Sequence, residues 1–100
     1  MATVLANTGK AIVTNRLKGS GTEPNYVAWG TGAGTAAATD TTLFTESAET
    51  RVAGASTQVT TTTSNDTYQV VGLLTASATR AITNAGLFDA VSAGNLFVKG

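Results

Sequence analysis

Cysteine and histidine are both missing from the 100 residues. Their absence excludes disulfides, thiolate nucleophiles, haem held by His or Cys, and the usual zinc sites. It also removes the base from Ser-His-Asp and Cys-His catalysis. Charge is scarce: six Lys+Arg and six Asp+Glu make up 12% of the chain and cancel to a net charge of zero. A protein that grips phosphates needs a basic surplus, so no nucleic-acid partner is expected. No stretch approaches the roughly 18 apolar residues of a membrane span. Met1 to Gly9 lacks a basic region followed by an apolar run, so neither a signal peptide nor a membrane association is expected. Proline occurs once, at Pro24.

What the chain has in abundance is Thr, then Ala, with 11 Gly. The β-branched side chains of Thr and Val suit a pleated sheet. The length fits a single domain, residues 1–100. Low charge also removes the commonest guard against edge-to-edge strand pairing. This composition suits a chain that meets other protein copies inside an assembly. It suits a plain extracellular β-domain equally well.

Asn7-Thr8-Gly9 opens a helix running to about Lys18, with Asn7 or Thr8 as its cap. Arg16 and Lys18 complement the dipole in its last turn, and Gly19 supplies a left-handed stop. Tyr26 to Trp29 reads as a strand, and Gly30 to Asp40 as a flexible connection. Thr42 to Glu49 has room for one helical turn. Arg51 to Thr63, broken near Gly54, and Thr67 to Thr79 read as a long antiparallel hairpin around Ser64-Asn65-Asp66. Arg80 to Ala90 and Asn95 to Val98 give a second hairpin around Ser92-Ala93-Gly94. The pattern predicts an all-β fold, mainly an antiparallel β-sandwich or small barrel, with one short N-terminal helix. Trp29, Leu43, Phe44, Val70, Leu74, Leu87 and Phe88 form the expected core.

Few motifs point to chemistry. Trp29-Gly30-Thr31-Gly32-Ala33-Gly34-Thr35 is rich in glycine, but no Lys follows as a phosphate loop requires. Its glycines are expected to release the chain from a strand. Asp40, Glu46 and Glu49 supply oxygen ligands of the kind calcium takes, but their spacing fits no calcium loop. An ion pair of Glu46 or Glu49 with Arg51 is the preferred reading. Asn65-Asp66-Thr67 matches a glycosylation acceptor and reads better as a turn. No metal, cofactor or catalytic residue is expected.

Three pieces of sequence stand in a suggestive order. The first is Trp29-Gly30-Thr31-Gly32 followed by Ala38-Thr39-Asp40-Thr41-Thr42-Leu43. The second is Thr45-Glu46, then Arg51-Val52. The third is Ala81-Ile82-Thr83-Asn84-Ala85-Gly86-Leu87-Phe88-Asp89-Ala90, closed by Gly94-Asn95-Leu96-Phe97-Val98. Together they resemble small virion proteins of tailed bacteriophages. The outline is similar to the N-terminal part of phage tail-collar and tail-fibre proteins, and Asn7 to Ala11 looks like that group's first helix. The sequence departs from the group in three places. Asn84 stands where Glu often precedes the Ala-Gly-Leu-Phe segment, Ser47 to Thr50 separate Glu46 from Arg51, and relatives often continue with a further strand.

The resemblance implies a non-enzymatic structural protein. One placement is a capsid decoration, or cement, protein on the outer surface of the head. It would bind the major capsid protein, stabilise capsomer contacts and self-associate as a homotrimer. The other placement is a tail-fibre or baseplate adaptor. The module spans all of the chain, which favours decoration. A carbohydrate-binding host-adhesion module is the outsider, because it needs exposed aromatics and the six present are expected in the core. The candidate interface is the edge strand Leu96, Phe97 and Val98, with Arg51 and Arg80 available for registration against a partner. Two alternatives stay open: Met1 to Ala6 folds back to cover that edge, and the arginines pair with local acids.

Overall fold

A computed structural model describes residues 3–100. The element order is β1 (Val4–Leu5), α1 (Asn7–Lys18), β2 (Tyr26–Gly30), β3 (Val52–Ala53), β4 (Ala55–Val59), β5 (Thr67–Val71), β6 (Asn84–Phe88) and β7 (Leu96–Lys99). Five strands form an antiparallel sheet in the order β1-β7-β6-β2-β3, and β4-β5 form a separate two-stranded antiparallel ribbon. The protein is therefore mostly β, with two antiparallel sheets and one short helix.

The helix spans the predicted residues and stops at Gly19, whose φ of 88° is left-handed. Its start is a correction. Ala6 occupies the cap position with no side-chain hydrogen bond. The Asn7 amide donates instead to the Ala38 carbonyl (2.8 Å), so main chain from a distant connection does the work of a cap. The Thr8 hydroxyl, expected as a cap, donates to the Leu96 carbonyl (2.6 Å) and ties the helix to β7.

Cross-strand partners share a face. Leu5, Val98, Leu87, Val27 and Val52 form an aliphatic row across all five strands. The opposite face holds the core of Ala28, Phe88 and Leu96, with Ala6 and Leu43 packed on it and Tyr26 alongside. Leu43 comes from the β2–β3 connection, which thus covers this face. β7 carries an irregularity: Leu87 pairs with Val98 while Phe88 pairs with Leu96, leaving Phe97 as the extra residue of a bulge.

Within that core Gly86 lies under β7 and Leu43. A Cβ placed there sits 2.6 Å from the Val98 carbonyl oxygen and 2.9 Å from Leu43 Cδ2. Gly86→Ala is expected to cost about 1–3 kcal/mol by overpacking in urea denaturation. A loss under about 0.5 kcal/mol, the level of a neutral surface change, would show that the sheet yields there.

Several expected boundaries move. The strand predicted over Thr67 to Thr79 ends at Val71, because its partner β4 begins at Ala55 and Gly54 diverts the chain into β3. The predicted strand from Arg51 to Thr63 is shortened to β3 and β4, and that from Arg80 to Ala90 to β6. Thr42 to Glu49 forms turns and one isolated bridge, Gly30 to Glu46, and no helix. Of the expected core, Trp29, Leu43 and Phe88 are buried, whereas Phe44, Val70, Leu74 and Leu87 are half-buried. Leu74 lies beyond the end of β5 and packs less than its alternating pattern implied. Ala6, Ile12, Ala28 and Leu96 are buried hydrophobic residues missing from that expectation.

The C-terminal strand is not an edge. β1 pairs with it through Val4–Lys99 and Leu5–Val98, and β6 takes its other side. The N-terminal segment of the same chain covers Leu96 to Val98, so the expectation of a neighbouring chain in that place is overturned. Met1 and Ala2 of the proposed fold-back segment lie outside the described residues.

Candidate functional site

The structure uses its charges internally. Each of the three acids once weighed as calcium ligands meets a cation. Asp40 Oδ2 accepts from Lys99 Nζ at 3.0 Å, Glu46 pairs with Arg51, and Glu49 Oε1 accepts from Arg80 Nη2 at 3.0 Å. Glu23 accepts from the Tyr68 hydroxyl, Asp66 from the amides of Thr61, Thr62 and Thr63, and Asp89 from the Asn95 amide. Every acid in the chain thus has a partner within the fold. Among the described residues no group of three or more His, Cys, Asp or Glu is placed to hold a metal ion.

Arg51 makes four hydrogen bonds, more than any other cation among the described residues. Its fork grips Glu46 through Nε to Oε2 (2.7 Å) and Nη2 to Oε1 (3.0 Å). Nη1 donates to the carbonyls of Ala90 (3.0 Å) and Ala93 (2.7 Å) in the β6–β7 turn. Its guanidinium carbon lies 3.5 Å from the centroid of the Phe88 ring. The side chain is 8% exposed, so it acts within the molecule as a clamp on that turn. The expected local pair with Glu46 is present, and registration against a partner would require Arg51 to leave this site.

Lys99 is the last residue of β7. It is 1% exposed, donates to Asp40 and the Thr42 carbonyl (2.8 Å), and sits 3.3 Å from the Phe44 ring centroid. The Ala37 amide and the Lys99 ammonium hold the Asp40 carboxyl below its usual range. Sequence gave one clue to this site, a lysine closing an otherwise apolar strand, but its partner lies 59 positions away.

Arg80 is exposed and belongs to a looser cluster. Glu49 accepts from the hydroxyls of Ser47 and Ser77 as well as from Arg80. These bonds, Ser47 first, lower its carboxyl from 4.5 to about 2. A depressed carboxylate favours the folded arrangement above its ordinary value, and that contribution fades as pH falls through the lowered one. The tie from Glu49 to residues 77–80 is therefore expected to hold above pH 4.5 and release as pH falls to about 2. The Ser77 amide shift in an NMR pH titration checks this. A Glu49→Gln variant should lack the transition, and an identical transition in that variant would rule out Glu49 as its source.

The glycine-rich stretch leaves β2 at Gly30, as expected, and its first two residues then dock on a later part of the same connection. Gly32 N donates to Phe44 O (2.9 Å) and Thr31 N to Thr45 O (3.1 Å), so the connection folds back along the end of β2. Gly32 permits this approach, since a Cβ there would lie 2.9 Å from the Phe44 carbonyl carbon. A cavity of about 200 Å³ lies beside it, lined by Gly34, Phe44, Asn84 and Lys99 among others.

An apolar groove of about 350 Å³ runs between α1 and β5, lined by Ile12, Val13, Leu17, Pro24, Tyr68 and Phe97. Tyr68 meets Phe97 edge-on, with ring centroids 6.2 Å apart. Desolvation first, and then the bond to Glu23, raise the Tyr68 phenol to about 12. It stays a proton donor. Aromatics were expected in the core, yet Tyr68 is 41% exposed.

No helix among the described residues is long and apolar enough to cross a membrane. Comparison with models of protein families, with curated proteins and with solved structures finds no match.

Proposed function

We propose that the chain is a capsid decoration protein of a tailed bacteriophage, a non-enzymatic domain on the outer surface of the head that stabilises contacts between capsomers. We read its two sheets as a small sandwich, since Tyr68 of β5 meets Phe97 of β7 and Gly72, just past β5, lies beside Val27 of β2. The observation that carries the proposal is the use made of the residues in the phage-like motif. Gly30 and Gly32 seat the connection at Phe44 and Thr45, Glu46 and Arg51 clamp the last turn, and Gly86 admits Leu43. The motif is spent on holding a scaffold, which is what a structural virion component requires. The partners under this reading are the major capsid protein and other copies of the chain, with which it would form trimers on the head.

Gold-labelled antibody against the purified chain tests the location on intact virions. Label over the heads supports decoration. Label on the tail replaces it with the tail-fibre or baseplate adaptor, and particles without label refute both.

A further inference from the structure

We propose that the β4–β5 ribbon is a strand-addition surface for further copies of this chain, and that three copies close a ring by joining the β5 edge of one to the β4 edge of the next. This deepens the self-association part of the functional reading and does not depend on the virion.

Among the described residues, β4 and β5 pair only with each other, so each has one edge without a strand. The main-chain bonds outside the helix and strands include none from residues 55–59 or 67–82. A lone two-stranded ribbon is marginal by itself. The chain after β5 keeps a strand-like alternation with no neighbour to pair with, and apolar side chains are exposed across this junction, Val71 at the end of β5 at 62% and Leu73 beyond it at 83%.

The occupant follows from charge and edge count. Between Val52 and Thr79 the one charged residue is Asp66, at the hairpin tip and bonded to Thr61, Thr62 and Thr63. The edges carry none of the charge that normally blocks pairing. They give a charged partner nothing to recognise, and identical copies meet without repulsion. Each ribbon also offers two free edges of five residues. A foreign strand covers one and leaves the other open. Copies related by rotation place β5 beside the next β4 in antiparallel sense, so pairing continues around the ring and every edge is filled. Two copies supply four strands, far below the roughly eight whose ring side chains just fill, and three supply six, the fewest copies that come near it.

The test is the mass of the purified chain by sedimentation equilibrium, with amide exchange read at high and low concentration. The expected mass is three times 10.0 kDa, with concentration-dependent protection of residues 55–59 and 67–76. The double variant Val71→Lys with Leu73→Lys, at exposed positions, should weaken assembly by about tenfold or more while circular dichroism is unchanged. Any mass other than three copies, protection confined to other segments, or a folded variant that assembles like the parent overturns the inference. Should the variant fail to fold, exchange on the unaltered chain decides alone. A trimer protected elsewhere would sink this interface and leave the virion reading standing.

Discussion

Arg51→Ala is expected to lose about 3–5 kcal/mol of folding stability in urea denaturation, the range for breaking a buried ion pair from one side. The substitution leaves Glu46 without its fork and strips the Ala90 and Ala93 carbonyls of their shared donor. It also uncovers the ring of Phe88. Ala93 has a φ of 51°, an uncommon conformation for a residue with a Cβ, and Arg51 is the side chain that holds its carbonyl. Arg51→Lys keeps the charge but not the planar fork, so it should recover only part of the loss. A cost below about 1 kcal/mol, typical of exposed pairs, would mean that the clamp is solvated and contributes little.

The second large effect is expected at Phe88, 1% exposed at the centre of the core. Phe88→Ala should cost about 3–5 kcal/mol from lost burial and the cavity left behind. Phe88 lies against Leu96 in the register and beneath Arg51, so its effect should not add to that of Arg51→Ala. A double-mutant cycle measures this, with a coupling of about 0.5–3 kcal/mol expected for residues in contact. Full additivity would show that the guanidinium and the ring do not stabilise each other.

The parts of the fold that were legible are those set by nearby residues. The helix and its stop were readable from Asn7 to Gly19, where one left-handed glycine ends the span, although its N-terminal cap comes from Ala38 far along the chain. The break at Gly54 and the turn before Thr67 were visible for the same reason. The pairing of Glu46 with Arg51, five positions apart, was within reach of local reasoning. The Lys99 site was not, because its acid and its aromatic come from the β2–β3 connection. The same distance hides the docking of that connection on Gly30 and Gly32.

Taken by itself, the sequence determined that this is a small, neutral, β-rich chain without thiol or imidazole chemistry, punctuated by turns at recognisable residues. Tertiary structure decided which strands have neighbours. Thr67 to Thr79 alternates throughout, yet only Thr67 to Val71 finds a partner. Leu96 to Val98 ends the sequence as an apparent edge, yet Val4 and Leu5 fill its open side. Alternation fixes which face a side chain takes. Whether a backbone edge is covered depends on segments far along the chain, and only packing brings those together.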